Sequence, residues 1–366
     1  MFYYLANLDE FFGPLRLFYY VTFRAGGALF TALIISLLLG PLTVKLLKKF
    51  SATAPSRLKG LVPDELLKPE KDKTPSMGGI LIVFAVTIST ILWAMPENGM
   101  VWAFLFTLIS LSLVGFLDDY VKVAYKNRDG IPGRLKLFLQ ISIAILAAWF
   151  LFRSCPSGAN WSDIFVPFYK YPIFADLPLW IMLGFAALVM VGSSNAVNLT
   201  DGKDGLAVGC SIFCSLTYAI FAYMCGHKIF AAYLSIPYIQ GASEVGVFAA
   251  ALAGACIGFL WFNCYPASMF MGDTGSLALG GSIGLIAILV KQEIVLALVG
   301  GVFVIEAVSV MIQVTSFKLF KKRVFLCTPI HHHFERKGWT ETQIVVRFWI
   351  MSGLFALLGL ATLKIR

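Results

Sequence analysis

The chain has 366 residues, of which 59% are hydrophobic and only 13% charged, and its mean hydropathy is +0.82. A soluble domain carries roughly 25% charged residues, so this composition excludes a soluble globular protein and defines an all-α polytopic membrane protein. The formal net charge of +9 suits basic loops facing anionic lipid rather than a nucleic-acid partner.

Residues 1–23 are amphipathic and aromatic and are expected on the membrane surface. Asp9 and Glu10 come too early for a signal peptide, so the first span is expected to direct its own insertion. At about 20 apolar residues per crossing, ten spans are expected: 24–44, 77–95, 100–117, 136–152, 179–195, 205–225, 246–263, 276–290, 294–316 and 345–363. The eighth is short and bounded by glycines. No polar block is long enough to fold by itself, so residues 1–366 read as a single integral membrane domain. The seven cysteines form no C-x-x-C pair and mostly sit in apolar runs, where thiols behave as small hydrophobes.

Of the 29 Lys and Arg residues, 21 fall in the segments 45–73, 122–136, 203 and 318–347. That side is expected to be cytoplasmic. Both termini then lie outside, and five connections face the cytoplasm: 45–76, 118–135, 196–204, 264–275 and 317–344.

The unusual polar residues concentrate in those connections. In EKDKTPSMGG (70–79), Lys71, Lys73, Thr74 and Ser76 precede the glycines that open span two. A basic group ahead of a helix N-terminus is an anion site, although ordinary positive-inside lysines look the same. LVGFLDDYVKV (113–123) ends span three in Asp118 and Asp119, with Lys122 one turn further on. The helix dipole at that end is already negative. Unless the pair is simply solvated, Lys122, Lys126 or a divalent cation must compensate it.

In NAVNLTDGKDGLAVG (195–209), Asn195, Asn198, Asp201 and Asp204 are interspersed with Gly202 and Gly205. This is a tight polar turn, suited to a metal, a ribose or a base, or merely capped. In WFNCYPASMFMGDTGSLALGG (261–281), Asn263 closes span seven, and Asp273, Thr274 and Ser276 open span eight. The latter three either cap that helix or hold a phosphate or a hard cation such as Mg2+.

Glu306 and Gln313 lie two turns apart on one face of span nine. Gln313, nearer the cytoplasmic end, can line a site, whereas Glu306 reads as structural. TPIHHHFERKGW (328–339) carries His331, His332 and His333. Consecutive helical side chains point in different directions, and zinc sites prefer i,i+4 spacing. Contact with a phosphate, or proton relay, is therefore favoured over zinc or packing.

TPSMGG, GFLDDYVKV, NAVNLTDGKDGLA, FLWFNCYPASMFMGDTGSLALGG and PIHHHFERKGW, in this order and spacing, closely resemble the phospho-N-acetylmuramoyl-pentapeptide transferase family. That family belongs to the polyprenyl-phosphate N-acetylhexosamine-1-phosphate transferases, and the histidine segment points to the muramoyl-pentapeptide branch. The similarity covers essentially the whole chain. It implies transfer of phospho-MurNAc-pentapeptide from UDP-MurNAc-pentapeptide to undecaprenyl phosphate, giving lipid I and UMP. It also implies Mg2+, the bacterial cytoplasmic membrane, ten spans with both termini outside, and a homodimer.

By the same resemblance Asp273 is the metal ligand, and Asp118 and Asp119 are the catalytic pair. Asn198, Asp201 and Asp204 form the uridine-side loop. Lys71, Asn263, Gln313, His331, His332 and His333 are further active-site positions, with Lys122, Thr74 and Ser76 beside the substrate. Asp118 is expected to act on the lipid phosphate as base or nucleophile, and Asp119 to help hold the metal or Lys122. The histidines and Lys71 are expected to neutralise the diphosphate. Two departures stand out: TPSMGG where the family usually reads TPTMGG, and Lys203 where it often has leucine. The rival readings are a sister enzyme using UDP-GlcNAc and an ion-coupled transporter. Against the transporter, the polar clusters all lie on one side.

Overall fold

The computed structural model describes residues 1–50, 74–125, 130–155 and 161–364. Two short 3-10 helices, Phe2–Leu8 and Gly13–Tyr19, lead into α1 (Val21–Lys49). There follow α2 (Gly79–Trp93), α3 (Gly99–Ala124), α4 (Gly133–Ser154), α5 (Leu179–Thr200) and α6 (Leu206–Gly226). A short α7 (Lys228–Leu234) precedes α8 (Ala242–Asn263) and α9 (Gly272–Leu289). The chain ends in α10 (Val295–Val299), α11 (Gly301–Phe320), α12 (Ile330–Arg336) and α13 (Glu341–Ala361).

Among the described residues nine helices are long and apolar enough to cross a membrane. The remaining expected span, 77–95, corresponds to α2, whose 15 residues make it shorter than the others. The expected span 294–316 is not continuous: the helix breaks at Gly300, between α10 and α11. Several helices outrun their apolar stretch. α1 continues to Lys49 and α3 to Ala124, because backbone hydrogen bonding does not stop where side chains become charged.

The short, glycine-bounded span is the hub of the bundle. In α9, 94% of the most apolar window is buried, against α3, α5, α2 and α6. Small residues let membrane helices approach closely, and Gly115 on α3 shows how closely. A Cβ there would lie 2.1 Å from the Asp273 carbonyl oxygen, so any larger residue would push the two helices apart. This contact brings the C-terminal end of α3 onto the N-terminal end of α9.

The opposite end of the bundle holds Met1 and Lys364. The Met1 ammonium donates to the carbonyls of Ile91 and Leu92 at the end of α2. Lys364 lies 3.5 Å from the centre of the Tyr233 ring. Arg24, fully buried, pairs with Glu244 at 2.6 Å and donates to the Trp93 carbonyl, tying α1, α2 and α8 together there. Two charges buried in so apolar a surrounding persist only as a hydrogen-bonded pair.

Candidate functional site

Asp118, Asp119 and Lys122 are all buried in the last turns of α3, and Asp273 is buried in the first turn of α9. Their opposed helix ends resolve the charge problem at the end of span three, since the negative end of α3 meets the positive end of α9. Asp119 accepts from the Asp273 N–H (3.2 Å), the Thr274 N–H (3.0 Å) and the Thr274 hydroxyl (2.8 Å). The residue before α9 offers no side-chain cap. The cap comes instead from α3, by way of Asp119.

Asp118 accepts from the Ile131 N–H at 2.9 Å and is paired with Lys122. Lys122 Nζ lies 2.8 Å from Asp273 Oδ2, while Lys136 Nζ lies 2.6 Å from the same oxygen and 3.4 Å from Asp118 Oδ2. Three carboxylates thus face two ammonium groups. One oxygen from each of Asp118, Asp119 and Asp273 falls within 4.8 Å of the others, an all-oxygen set that suits a hard divalent cation. Both Asp119 oxygens are occupied by α9, whereas Asp118 and Asp273 are paired with the Lys122 and Lys136 ammonium groups. Lys136 was legible only as one more positive-inside lysine, since its role depends on where α4 begins in space.

The turn between α5 and α6 is clasped from several sides. Asp204 Oδ2 accepts from the Ala267 N–H (3.2 Å), and Gly205 N–H donates to Asn263 Oδ1 (3.1 Å). The indole of Trp349 donates to the Gly205 carbonyl, and the Asp204 N–H reaches Glu341. Asn263 is buried, and its amide nitrogen goes to the Met269 carbonyl; it fastens the loop rather than facing open space. Asn198 accepts from Ser276 at 3.2 Å, joining the end of α5 to α9. Asp201, half-buried, caps α5 at the mouth of the turn.

The residues ahead of α2 pair with the loop before α9. Gly78 and Gly79 N–H donate to the carbonyls of Phe270 and Met271, and Phe270 N–H donates to Pro75. Thr74 reaches the Ala267 carbonyl, and Ser76 is buried beside Gly272. Lys71, Lys73 and Lys126 lie outside the described residues.

The three histidines divide their directions, as adjacent helical positions must. His331 is buried, with Nδ1 3.1 Å from Glu306 Oε1 and with Nε2 unpaired among the described residues. That nitrogen faces the α5–α6 turn: a Cβ on Gly202 would lie 2.5 Å from it. His332 Nδ1 is 3.1 Å from Glu335 Oε2. His333 Nδ1 accepts from the Leu326 N–H. Gln313 spends its amide on Val324 and Phe325, holding the same loop.

Glu306 therefore has a partner that its place in span nine did not reveal. It sets the ring of His331, the histidine nearest the turn. A hydrogen bond of this kind contributes about 0.5–1.5 kcal/mol. Glu306→Gln is expected to slow turnover about tenfold with the fold retained, about 1.4 kcal/mol in the barrier. An unchanged rate would remove Glu306 from the site.

Fold and site together define a polytopic membrane protein whose reactive groups gather at one end of a helical bundle. The family model described as Glycosyl transferase family 4 matches residues 101–291, a stretch that includes all three aspartates. The chain is 47% identical over 367 residues to the phospho-N-acetylmuramoyl-pentapeptide-transferase of Methylacidiphilum infernorum (isolate V4), with both chains covered completely. It is 48% identical over 368 residues to proteins of the same name from Neisseria meningitidis and Neisseria gonorrhoeae, again over the full length of each. The chain belongs to the phospho-N-acetylmuramoyl-pentapeptide-transferase family.

Proposed function

We propose that the chain transfers phospho-MurNAc-pentapeptide from UDP-MurNAc-pentapeptide to undecaprenyl phosphate, releasing UMP and forming lipid I for peptidoglycan synthesis. The observation that carries this reading is the meeting of Asp118, Asp119 and Asp273 with Lys122 and Lys136. A phosphoanhydride is exchanged for another, so catalysis must come from positioning and charge neutralisation rather than from driving force.

Asp118 takes up or orients the proton of the incoming lipid phosphate. A phosphate oxygen of the lipid attacks the β-phosphorus, the bond from that phosphorus to the bridging oxygen breaks, and UMP leaves with that oxygen. Lys122 and Lys136 turn from the carboxylates to the phosphate oxygens. Mg2+, held by Asp273 with Asp118, would supply further neutralisation of the diphosphate. Asp201 and Asn198 lie on the uridine side, and the histidine helix closes over the diphosphate. The concentration of Lys and Arg in the connections at this end supports its assignment to the cytoplasm, with both termini periplasmic. The enzyme is a homodimer in the bacterial inner membrane.

The test is UMP release from UDP-MurNAc-pentapeptide in detergent. Release is expected to require both undecaprenyl phosphate and Mg2+ and to stop with EDTA. Release from UDP-GlcNAc alone would favour the sister enzyme, and none from any donor would favour a transporter. A phospho-enzyme trapped with the donor alone would replace direct transfer by a route through Asp118.

A further inference from the structure

Lys203 is a local departure with a specific destination. On sequence it adds a positive charge to the nucleotide turn. In space that charge is not offered to a ligand. The Lys203 side chain is only 7% exposed, and its Nζ lies 2.6 Å from Glu335 Oε1. The other oxygen of the same carboxylate is the one that meets His332 Nδ1 at 3.1 Å. A single carboxylate on α12 thus bridges an ammonium from the α5–α6 turn and an imidazole of the histidine helix. Further ties of this turn run to Asn263 on α8, to Ala267, and to Glu341 and Trp349 on α13.

We infer that Lys203 is a positioning residue: it holds Glu335, Glu335 holds the ring of His332, and the nucleotide turn and the histidine helix are thereby locked into one unit. The inference rests on the proposed donor, whose uridine and diphosphate would span those two elements. A buried ammonium is costly unless paired, and Glu335 completes the pair. The groups that face His332 are Glu335 and His331 on its own helix and Lys203 from the turn. The bonds from His332 and Lys203 hold the Glu335 carboxyl well below the usual carboxylate range. Burial lowers the pKa of His332, Glu335 opposes this, and the charges of His331 and Lys203 add to it. Neutral His332 is therefore the form present at pH 7, and removing the Lys203 charge moves its protonation toward higher pH.

The experiment measures kcat and KM for UDP-MurNAc-pentapeptide across roughly pH 5 to 8 in the full-length protein. Lys203→Met is expected to raise KM about fivefold with a smaller change in kcat, and to move the acid limb of the profile upward. Lys203→Arg should restore both. Glu335→Gln should raise KM as well, and adding Lys203→Met to it should cost nothing further, as for two residues acting through one contact. A Lys203→Met enzyme with the parent KM and acid limb, or effects of the two substitutions that simply multiply, would overturn the inference.

The donor reading is judged separately. If the parent protein releases no UMP from this donor, that reading fails. The clasp is then decided by the thermal midpoints of the parent, Lys203→Met, Glu335→Gln and the double variant. Non-additive shifts support it and additive shifts remove it.

Discussion

Asp273→Asn is expected to lower UMP release by about three orders of magnitude, the upper range for loss of one preorganised charge-stabilising group. The substitution preserves size and removes one of three carboxylates. Lys122 and Lys136, both bonded to Asp273 Oδ2, then have Asp118 as their close carboxylate partner, while Asp119, 4.0 Å from Lys122, is committed to α9. The centre loses its net negative charge, and a divalent cation must join it without the attraction that three carboxylates provide. The requirement for Mg2+ should rise steeply alongside the loss of rate. Asp273→Glu, which keeps the charge and lengthens the arm, should fall between the two. The measurement is UMP release against Mg2+ concentration, with the thermal midpoint as the check on folding. A folded Asp273→Asn protein turning over at the parent rate would dismantle the site as described.

Asp119→Ala should act first on stability. Its carboxylate is buried and binds two backbone N–H groups and one hydroxyl at the start of α9. Removing it orphans those donors at about 1–3 kcal/mol for each buried group and loses the favourable interaction with the helix N-terminus. A net loss of about 3 kcal/mol is expected, partly relieved by water entering from the site. Because α9 is the hub of the bundle, the thermal midpoint in detergent should drop by several degrees, with transfer lost as the Gly272–Thr274 backbone shifts. Asp118→Asn should show the reverse pattern, losing transfer with little change in midpoint. Equal midpoints for the two variants would refute this division of labour.

That division could not be read from the chain. Asp118 and Asp119 are adjacent and chemically identical, and only the rotation of α3 against α9 decides which of them caps a helix. The same holds for His331, His332 and His333, whose consecutive spacing announced different directions without naming the partners Glu306, Glu335 and Leu326. Nothing in the sequence singled out Lys136 beyond its basic segment, or Glu335 within the histidine motif. Gln313 and Asn263, expected to line the site, spend their amides on neighbouring loops. The spans were legible because apolar length is a local property. The break at Gly300 and the short α2 were less so, since the first is one residue in an unbroken apolar run and the second is set by where its neighbours hold it.

By itself the sequence determined that this is a helical membrane protein, roughly where its helices run, and that its unusual polar residues concentrate in a few connections between spans. Those facts follow from composition and from the segregation of charge, and the order of the motifs points to the family. Which carboxylate oxygens gather, which lysines neutralise them, and what holds each histidine were decided only by tertiary structure. The reason is physical: each of these contacts joins helices far apart in the chain. Their meeting depends on close approaches such as that of Gly115 to Asp273, which no local pattern encodes.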